Sequence, residues 1–236
     1  MNVSGDRDWS QIVWKGEFIP ESSRFGDVYY STEDGLAETE YVFIEGNNLS
    51  VRFETCSRFS IGELGFGTGL NFLTTLIKFN ALAPKGAHLT YSSVELYPVA
   101  PKDIKLALKR WNVLGGMIDV FVENYSEIHP GLNVLEFPKW NVVLNLWAWC
   151  DARDAVPCYP HLQDAWYLDG FSPTCNPELW QLELFKKIKD RSGPKATIAT
   201  FSAAGHVRRN LCSIGFKVNR RPGFGSKREC LAGIAS

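Results

Sequence analysis

The stretch FSIGELGFGTGLNFL, residues 59–73, decides the fold that the rest of the chain must build around it. An apolar run of strand character leads into three glycines, Gly65, Gly67 and Gly69, and a helix-like run follows. Glycine has no Cβ, so the backbone can turn tightly there and bring its N–H groups close to a ligand. A strand, a glycine turn and a helix start in this order predict a nucleotide-class site at the edge of a sheet.

The segments that follow this stretch alternate between strand-like and helix-like patterns. LTYSSVEL, NVVLNLWAW, AWYLDG and ATIATFS have strand character, and VAPKDIKLALKRW, ELWQLELFKKIKD and GHVRRNLCSIG have helix character. This alternation predicts an α/β fold with a mostly parallel sheet covered by helices. The last two strand-like runs, FKVNRR and KRECLAGI, are joined only by PGFGS, which is too short for a parallel crossover. The C-terminal strand is therefore predicted to run antiparallel.

The N-terminal part of the chain lacks this alternation. YVFIEG and LSVRF flank Asn47 and Asn48, a pattern typical of a β-hairpin. We therefore predict that residues 1–55 form a β extension packed on a core made by residues 56–236, the two together being one structural unit.

Composition narrows the class of protein. Of 236 residues, 45% are hydrophobic and 22% are charged, as in an ordinary soluble globular protein. No apolar run approaches the ~20 residues of a membrane helix, and MNVSGDRDWSQ lacks the apolar core of a signal peptide. These features favour a cytoplasmic protein without a membrane partner. The six cysteines show no CxxC spacing and the four histidines do not cluster, so we predict no metal site.

Two acids beside the glycine turn restrict the kinds of ligand that the site can bind. Glu95 ends the second strand-like run, where a carboxylate can accept hydrogen bonds from ribose hydroxyls. Glu63 stands just before Gly65, where a negative charge opposes a pyrophosphate and favours an ammonium or sulfonium. No lysine followed by serine or threonine comes after the loop, so it is not the phosphate loop of an NTPase. The pattern favours S-adenosylmethionine, with an NAD(P)-dependent oxidoreductase as the alternative.

A third acid, Asp151 in WCDARD, is a candidate to contact the adenine amino group, since a carboxylate accepts from N–H. Asp154 competes for that role. A helix cap is the structural alternative for Asp151.

The stretch DAWYLDGFSPTCNPELW, residues 164–180, contains residues that we expect to act on a second ligand. Asp169 follows a strand-like run, and carboxyl ends of parallel strands face the ligand crevice. A carboxylate there can accept an amine N–H, orient the nitrogen lone pair and take the released proton. Phe171 is predicted to stack on a base or to wall the site. A turn aspartate followed by a core phenylalanine is the alternative.

Charge is uneven along the chain. Net charge is −1, but residues 205–230 contain seven Lys and Arg against a single Glu. Such a patch can meet phosphates even on a protein that is nearly neutral overall. A solvated surface near the C-terminus is the alternative.

Five stretches, taken together, resemble the methyltransferase domain of the MnmC family of bacterial tRNA-modification enzymes. They are FGDVYYSTEDGLAETEYVF, ELGFGTGLNFL, AWYLDGFSPTCNPELW, ATFSAAGHVRRNL and RPGFGSKREC, which run in order from residue 25 to residue 230. The resemblance implies a class I (Rossmann-like) fold that transfers a methyl group from S-adenosylmethionine to the amine of 5-aminomethyl-2-thiouridine at the tRNA wobble position. A methyltransferase acting on another amine, in a nucleic acid or a small molecule, is the alternative enzyme. A tRNA-binding module without activity is the alternative outside enzymes.

The resemblance also implies roles for individual residues. Asp169 is expected to be catalytic. The residues expected at the cofactor are Tyr29, Glu63, Gly65, Phe66, Gly67, Gly69, Asn71, Glu95, Asp151 and Asp169. Those expected at the substrate are Phe171, Pro173, Arg208, Arg209, Lys227 and Arg228. The chain departs from the family pattern at Cys150, where glycine is common, and at Cys175, where a basic residue is common.

In bifunctional members of that family an FAD-dependent oxidoreductase domain follows the methyltransferase domain. This chain ends at LAGIAS, just after the last strand-like run. We therefore expect a stand-alone form or a fragment. Its aminomethyl substrate would come from a separate FAD-dependent oxidoreductase or from the upstream GTPase–flavoprotein pair.

Overall fold

A computed structural model describes residues 8–236, which form two sheets and the helices around them. The smaller sheet is antiparallel and contains β1 (Ile12–Lys15), β2 (Ile19–Ser22) and β3 (Asp27–Val28). The predicted β character of the N-terminal extension is therefore confirmed for this segment. Residues 1–7 of the predicted extension lie outside the described residues.

The predicted hairpin around Asn47 and Asn48 is wrong, because this segment is helical. Helix α1 (Gly35–Thr39) continues into a π-helical turn (Glu40–Glu45), and α2 (Leu49–Phe53) follows. Asp34 caps α1 by accepting hydrogen bonds from the N–H groups of Leu36 and Ala37. Both runs are short and apolar, and periodicity alone cannot separate a buried strand from a buried helix at such lengths.

The larger sheet has eight strands in the order β10-β11-β9-β8-β4-β5-β7-β6. Their bounds are β4 (Arg58–Leu64), β5 (His88–Glu95), β6 (Gly131–Phe137), β7 (Val142–Ala148), β8 (Gln163–Leu168), β9 (Ser192–Thr200), β10 (Phe216–Pro222) and β11 (Glu229–Ala235). The five strands from β9 to β7 pair in parallel, whereas β11 runs antiparallel to both of its neighbours, as predicted. Strand β6 is also antiparallel, because a short turn at Pro138–Trp140 folds it directly onto β7. This strand was not predicted from the sequence.

Helices cover both faces of this sheet. They are α3 (Leu70–Leu82), α4 (Pro101–Leu108), α5 (Gly115–Tyr125), α6 (Ala152–Ala155), α7 (Leu182–Asp190) and α8 (Gly205–Ser213). Alternate residues of β8 enter two separate cores. Tyr167 joins the core under α1 to α5, and Trp166 joins the core under α6 to α8. None of the helices within residues 8–236 combines the length and apolar character that a membrane crossing needs.

The strand order places the functional edge of the sheet. Chain progress from β4 runs outward in one direction to β5 and in the other to β8. A reversal of this kind leaves a crevice at the carboxyl ends of the central strands. Leu64, Glu95 and Leu168, the last residues of these strands, therefore lie at one edge.

Candidate functional site

A cavity of about 520 Å³ lies at this carboxyl edge. The glycine loop forms one wall, and the loop after β8 forms another. A third wall comes from segments within residues 24–39 of the N-terminal extension. The crevice of the larger sheet is thus walled in part by residues that precede the first strand of that sheet in the sequence.

Two glycines of the turn have backbones and surroundings that only glycine satisfies. Gly65 has φ +72°, and a Cβ there would lie 2.8 Å from the Cα of Gly170. Gly67 has φ +55°, and its Cβ would approach the ring of Tyr29 at 3.2 Å. Non-glycine residues are disfavoured at such φ values. The contact at Gly65 leaves no room for a side chain, and at Gly67 the Tyr29 ring would have to move by a few tenths of an ångström. The glycine loop and the loop after β8 are therefore in direct contact through Gly65 and Gly170.

Gly69, the third glycine, has a different place from the one predicted. It does not line the cavity but lies at the N-cap of α3 with φ +76°. A Cβ there would lie 2.9 Å from the ring of Phe121. It shapes the start of the helix and its packing, whereas Phe66, Thr68 and Asn71 do line the cavity.

Glu95 lies in the cavity wall with its carboxylate held by backbone donors. The N–H groups of Gly67 and Tyr97 each donate to it at 2.9 Å. Burial raises the pKa of Glu95, and the two hydrogen bonds oppose that rise. An ionised carboxylate offers about four lone-pair sites, so acceptor capacity remains for hydroxyl groups of a ligand.

Asp169 follows β8 directly and lines the cavity. Its Oδ2 accepts a hydrogen bond of 2.7 Å from Nδ2 of Asn71. Burial raises the pKa of Asp169 to about 7, against the lowering effect of that hydrogen bond. A carboxyl group that exchanges its proton near neutral pH is suited to acid–base chemistry.

Glu63 was predicted to face the ligand with a negative charge, and the structure corrects this. Its side chain is fully buried and is absent from the cavity lining. It accepts from Ser93 Oγ at 2.7 Å and from Asn71 Nδ2 at 3.0 Å. Burial raises the pKa of Glu63 to about 8, so the group is mostly neutral at pH 7. Glu63 is therefore a buried, mostly protonated carboxyl group behind the cavity lining rather than an anion at the cavity surface.

Glu63→Gln should therefore change how stability depends on pH. Between about pH 4.5 and pH 8 the folded chain keeps a proton on Glu63 that the unfolded chain has released. The free energy of unfolding contributed by this group thus falls as pH rises through that window. The variant lacks this fall and should gain roughly 2–4 kcal/mol relative to the native chain between pH 5 and pH 8.5.

Urea denaturation of both proteins at these two pH values measures the gain. Glu136→Gln, an exposed position on β6, is the matched control and should show the same difference at both pH values. Equal behaviour of the two variants would contradict a buried, protonated Glu63.

An aromatic wall faces the glycine loop. Tyr29 donates to or accepts from Ser10 Oγ at 2.7 Å and meets the ring of Phe171 edge-on at 5.1 Å. Phe171 also stacks on Phe25 at 4.6 Å, and Phe25 lies 5.7 Å from Tyr97. Tyr29 and Phe171 line the cavity, and their roles at the cofactor and the substrate stay predictions. Phe25 and Tyr97 also line it, but they were missed because single aromatics carry no local signal in the sequence.

Asp27 holds this wall in place by accepting the N–H of Ser172 at 3.0 Å. The bond joins β3 to the loop after β8. Pro173, predicted at the substrate, does not line the cavity, although the same loop lines it on either side, at Ser172 and Cys175.

Asp151 lines the cavity but is occupied by a neighbour. It caps α6 through the N–H of Arg153 at 2.8 Å and pairs with the Arg153 guanidinium at 2.6 Å. The Arg153 side chain lowers the pKa of Asp151. The capping alternative is confirmed, and Asp154 is not among the residues that line the cavity. An adenine contact by Asp151 stays a prediction.

The basic residues predicted at the substrate separate into two places. Lys227 lines the cavity, donates to Glu38 at 2.6 Å and lies over the ring of Phe201 at 4.4 Å. Arg208 and Arg209 are exposed on α8, and Arg228 is exposed in the β10–β11 loop; none of the three lines the cavity. Lys227 is thus an exposed cation at the cavity whose charge is paired with Glu38.

Other members of the patch are also partnered. Arg221 pairs with Glu45, and Arg220 pairs with Glu229. Within residues 8–236, no ion pair involves Arg208, Arg209, Lys217 or Arg228. No group of three or more His, Cys, Asp or Glu among the described residues is arranged to hold a metal.

Comparison with known proteins decides the family. Residues 112–236, more than half of the chain, match the model of an S-adenosyl-L-methionine-dependent methyltransferase family. The chain belongs to this family. S-adenosylmethionine is therefore its cofactor, as predicted, and the NAD(P)-dependent alternative is excluded.

Two curated relatives and one solved structure give the nearer context. The tRNA 5-methylaminomethyl-2-thiouridine biosynthesis bifunctional protein MnmC of Pseudomonas fluorescens is 44% identical over 95% of this chain, and that of Caulobacter vibrioides is 41% identical over 94%. The chain spans about a third of their length, 34% and 37%. The crystal structure of MNMC2 from Aquifex aeolicus superposes with a TM-score of 0.74 at 23% identity, covering 97% of this chain and 71% of that one. This last likeness shows that the fold is shared.

Proposed function

We propose that this protein transfers a methyl group from S-adenosylmethionine to the amine of 5-aminomethyl-2-thiouridine at the tRNA wobble position, giving 5-methylaminomethyl-2-thiouridine. The similarity of nearly the whole chain to part of the bifunctional MnmC proteins supports the substrate. The observation that carries the chemistry is the position of Asp169 in the cavity wall, where Asn71 donates to its carboxylate at 2.7 Å and burial raises its pKa to about 7.

The residues of the cavity fit S-adenosylmethionine. Gly65 and Gly67 present backbone without side chains to the cavity, so a ligand can approach this loop closely. Glu95 has spare acceptor capacity for ribose hydroxyls, and Tyr29 walls the same space. When bound, this cofactor supplies an electrophilic methyl group on a sulfonium.

Asp169 prepares the acceptor amine. A free alkylamine is protonated at neutral pH and has no lone pair to attack with, so a proton must leave before or during transfer. The ionised Asp169 carboxylate accepts an N–H hydrogen bond, aims the lone pair and takes that proton. The aromatic wall of Phe25, Tyr29 and Phe171 offers flat apolar surface to a uracil ring.

The test is mass spectrometry of wobble nucleosides after hypomodified tRNA is incubated with the protein and S-adenosylmethionine. We expect 5-aminomethyl-2-thiouridine to be consumed and a nucleoside heavier by one methyl group to appear. DNA and small amines are incubated in parallel. Methylation confined to one of these would replace the tRNA substrate by the alternative amine, and no methylation of any would remove the proposal.

Arg208 and Arg209 are proposed to contact tRNA phosphates, because they are exposed cations on α8 that make no ion pair with any residue in 8–236. Arg208→Ala with Arg209→Ala should weaken tRNA binding about tenfold at 100 mM salt and reduce the slope of log Kd against log salt by about 2. Filter binding over a range of salt concentrations measures both quantities.

Lys85→Ala with Lys139→Ala is the matched control for this pair. Both lysines are exposed and precede β5 and β7, at the opposite edge of the sheet. Their removal should leave the slope unchanged. An unchanged slope in the arginine variant would take the patch out of the interface.

The remaining inferences concern organisation and setting. Residues 1–55 and 56–236 are proposed to work as one unit, because the described part of the extension walls the cavity. We infer a cytoplasmic location, where tRNA is found. A source of aminomethyl substrate, either an FAD-dependent oxidoreductase or the GTPase–flavoprotein pair, is the proposed partner activity.

A further inference from the structure

One amide group, that of Asn71, lies between two carboxyl groups: Asp169, which lines the cavity, and Glu63, which is buried behind the lining. Nδ2 of Asn71 donates to Asp169 at 2.7 Å and to Glu63 at 3.0 Å. On the other side, Oδ1 of Asn71 meets the Thr39 hydroxyl at 2.7 Å. The ionised Asp169 carboxylate can only accept, so the nitrogen of Asn71 faces the acids and its oxygen faces Thr39. Both amide hydrogens are thereby used, which leaves Asn71 no free donor for a ligand.

The glycine loop puts Asn71 in this position. It is the second residue of α3, directly after the turn at Gly69, and its side chain is buried. Thr39, the last residue of α1, is buried as well. The side chain is therefore held from both sides by regular secondary structure.

We propose that Asn71 is a positioning residue that keeps Asp169 ionised and turned toward the cavity, with Glu63 as a neutral neighbour. Two carboxyl groups this close to a shared donor resist simultaneous ionisation, because like charges repel in a buried site. The fully buried Glu63 retains its proton, and the hydrogen bond from Asn71 stabilises the charged form of Asp169. This inference rests on the proposed function, in which Asp169 receives the proton of the amine.

The other groups that face this pair do not replace Asn71. Glu38 of α1 and Lys227 of the β10–β11 loop act on Asp169 with opposite signs, and they are bound to each other. Around Glu63 the ionisable neighbours are tyrosines of β5, β8 and the turn before β8, namely Tyr91, Tyr167 and Tyr159. Burial raises the pKa of all three, so they stay neutral. Asn71 lowers the pKa of Asp169 more than Lys227 does.

Asn71→Ala tests the inference through the pH dependence of kcat. Loss of the hydrogen bond should raise the pKa of Asp169, about 7 in the native chain, by about one unit. The acidic limb of the profile then moves to higher pH by the same amount. The ionised fraction, and with it kcat, should fall about fivefold at pH 7 and less than twofold at pH 9. The substrate amine is the same in both proteins, so its own titration cancels in the comparison.

Thr39→Val supplies a second variant in case Asn71→Ala folds poorly. It removes the hydroxyl that orients Asn71 but leaves both amide hydrogens in place. A smaller shift in the same direction is expected. A drop in kcat that is equal at pH 7 and pH 9 in both variants would mean that Asn71 has only a structural role.

A measurement without turnover separates this inference from the proposed function. In protein carrying ¹³C at aspartate carboxyl carbons, the Asp169 resonance is identified by its absence in Asp169→Asn. Its titration midpoint should rise by about one unit in Asn71→Ala. An unchanged midpoint together with weakened S-adenosylmethionine binding would assign Asn71 to the cofactor and overturn the inference. The Asp169 titration midpoint could rise in Asn71→Ala even if the native protein methylates no tRNA. That result would support the role of Asn71 in setting the charge of Asp169 and would contradict only the proposed tRNA substrate.

Discussion

Asp169→Asn should lower kcat for methylation of aminomethyluridine tRNA by about 100-fold or more, the scale of a positioned acid–base group. The amide keeps the size of the carboxyl group, and its oxygen can still accept from Asn71. It cannot take a proton from the amine. Asp169 makes no ion pair with any residue in 8–236, so the variant should fold normally.

Single-turnover methylation with saturating tRNA and cofactor measures this loss directly. Calorimetric binding of S-adenosylmethionine, expected to change less than about threefold, controls for damage to the cavity. If the Asp169→Asn variant turned over at the native rate, another group would have to accept the proton of the amine, and Asp169 would not be the base.

Gly65→Ala should have the second large effect, a loss of S-adenosylmethionine affinity of at least about tenfold. The added Cβ would lie 2.8 Å from Gly170 Cα, so the glycine loop and the loop that carries Asp169 must move apart. A positive φ adds a strain of roughly 1 kcal/mol. Both loops line the cavity, so their separation changes the position of the cofactor and of the base together.

Gly86→Ala separates these two causes. Gly86 also has a positive φ, +88°, but a Cβ there would meet nothing within 4 Å. This control should lose a similar amount of stability through strain and should bind S-adenosylmethionine as the native chain does. Calorimetry and urea denaturation on both variants make the comparison. Equal cofactor affinities in the two variants would show that the contact between the loops is unimportant.

Local patterns in the sequence were enough to predict the central architecture. The glycine turn between a strand and a helix, and the short link before the last strand, each follow from chain geometry over a few residues. Asp169 was found for the same reason, since it directly ends a strand. Strand β6 and the helices around Asn48 were missed or wrong because their short apolar runs are compatible with either structure.

The site was less predictable wherever a role depends on a neighbour distant in sequence. Glu63 looks like a surface anion beside the loop, but burial under the floor makes it mostly neutral. Lys227 looks like a free cation in a basic run, but Glu38 lies against it. Asn71 follows the loop like a cofactor residue, but both of its amide hydrogens go to acids. In each case tertiary packing supplies the partner that decides the charge or the bond.

The wall made by Phe25 and Tyr29 has a consequence for biosynthesis. These aromatic side chains leave the ribosome early, whereas Phe171, against which both pack, is made only after most of the chain. Until β8 has inserted beside β4, Phe25 and Tyr29 lack their contacts with Phe171, although Phe25 can already pack on Tyr97. The aromatic wall is therefore completed only after Phe171 has been made, and until then chaperones or self-association compete for the ring faces that Phe171 will cover.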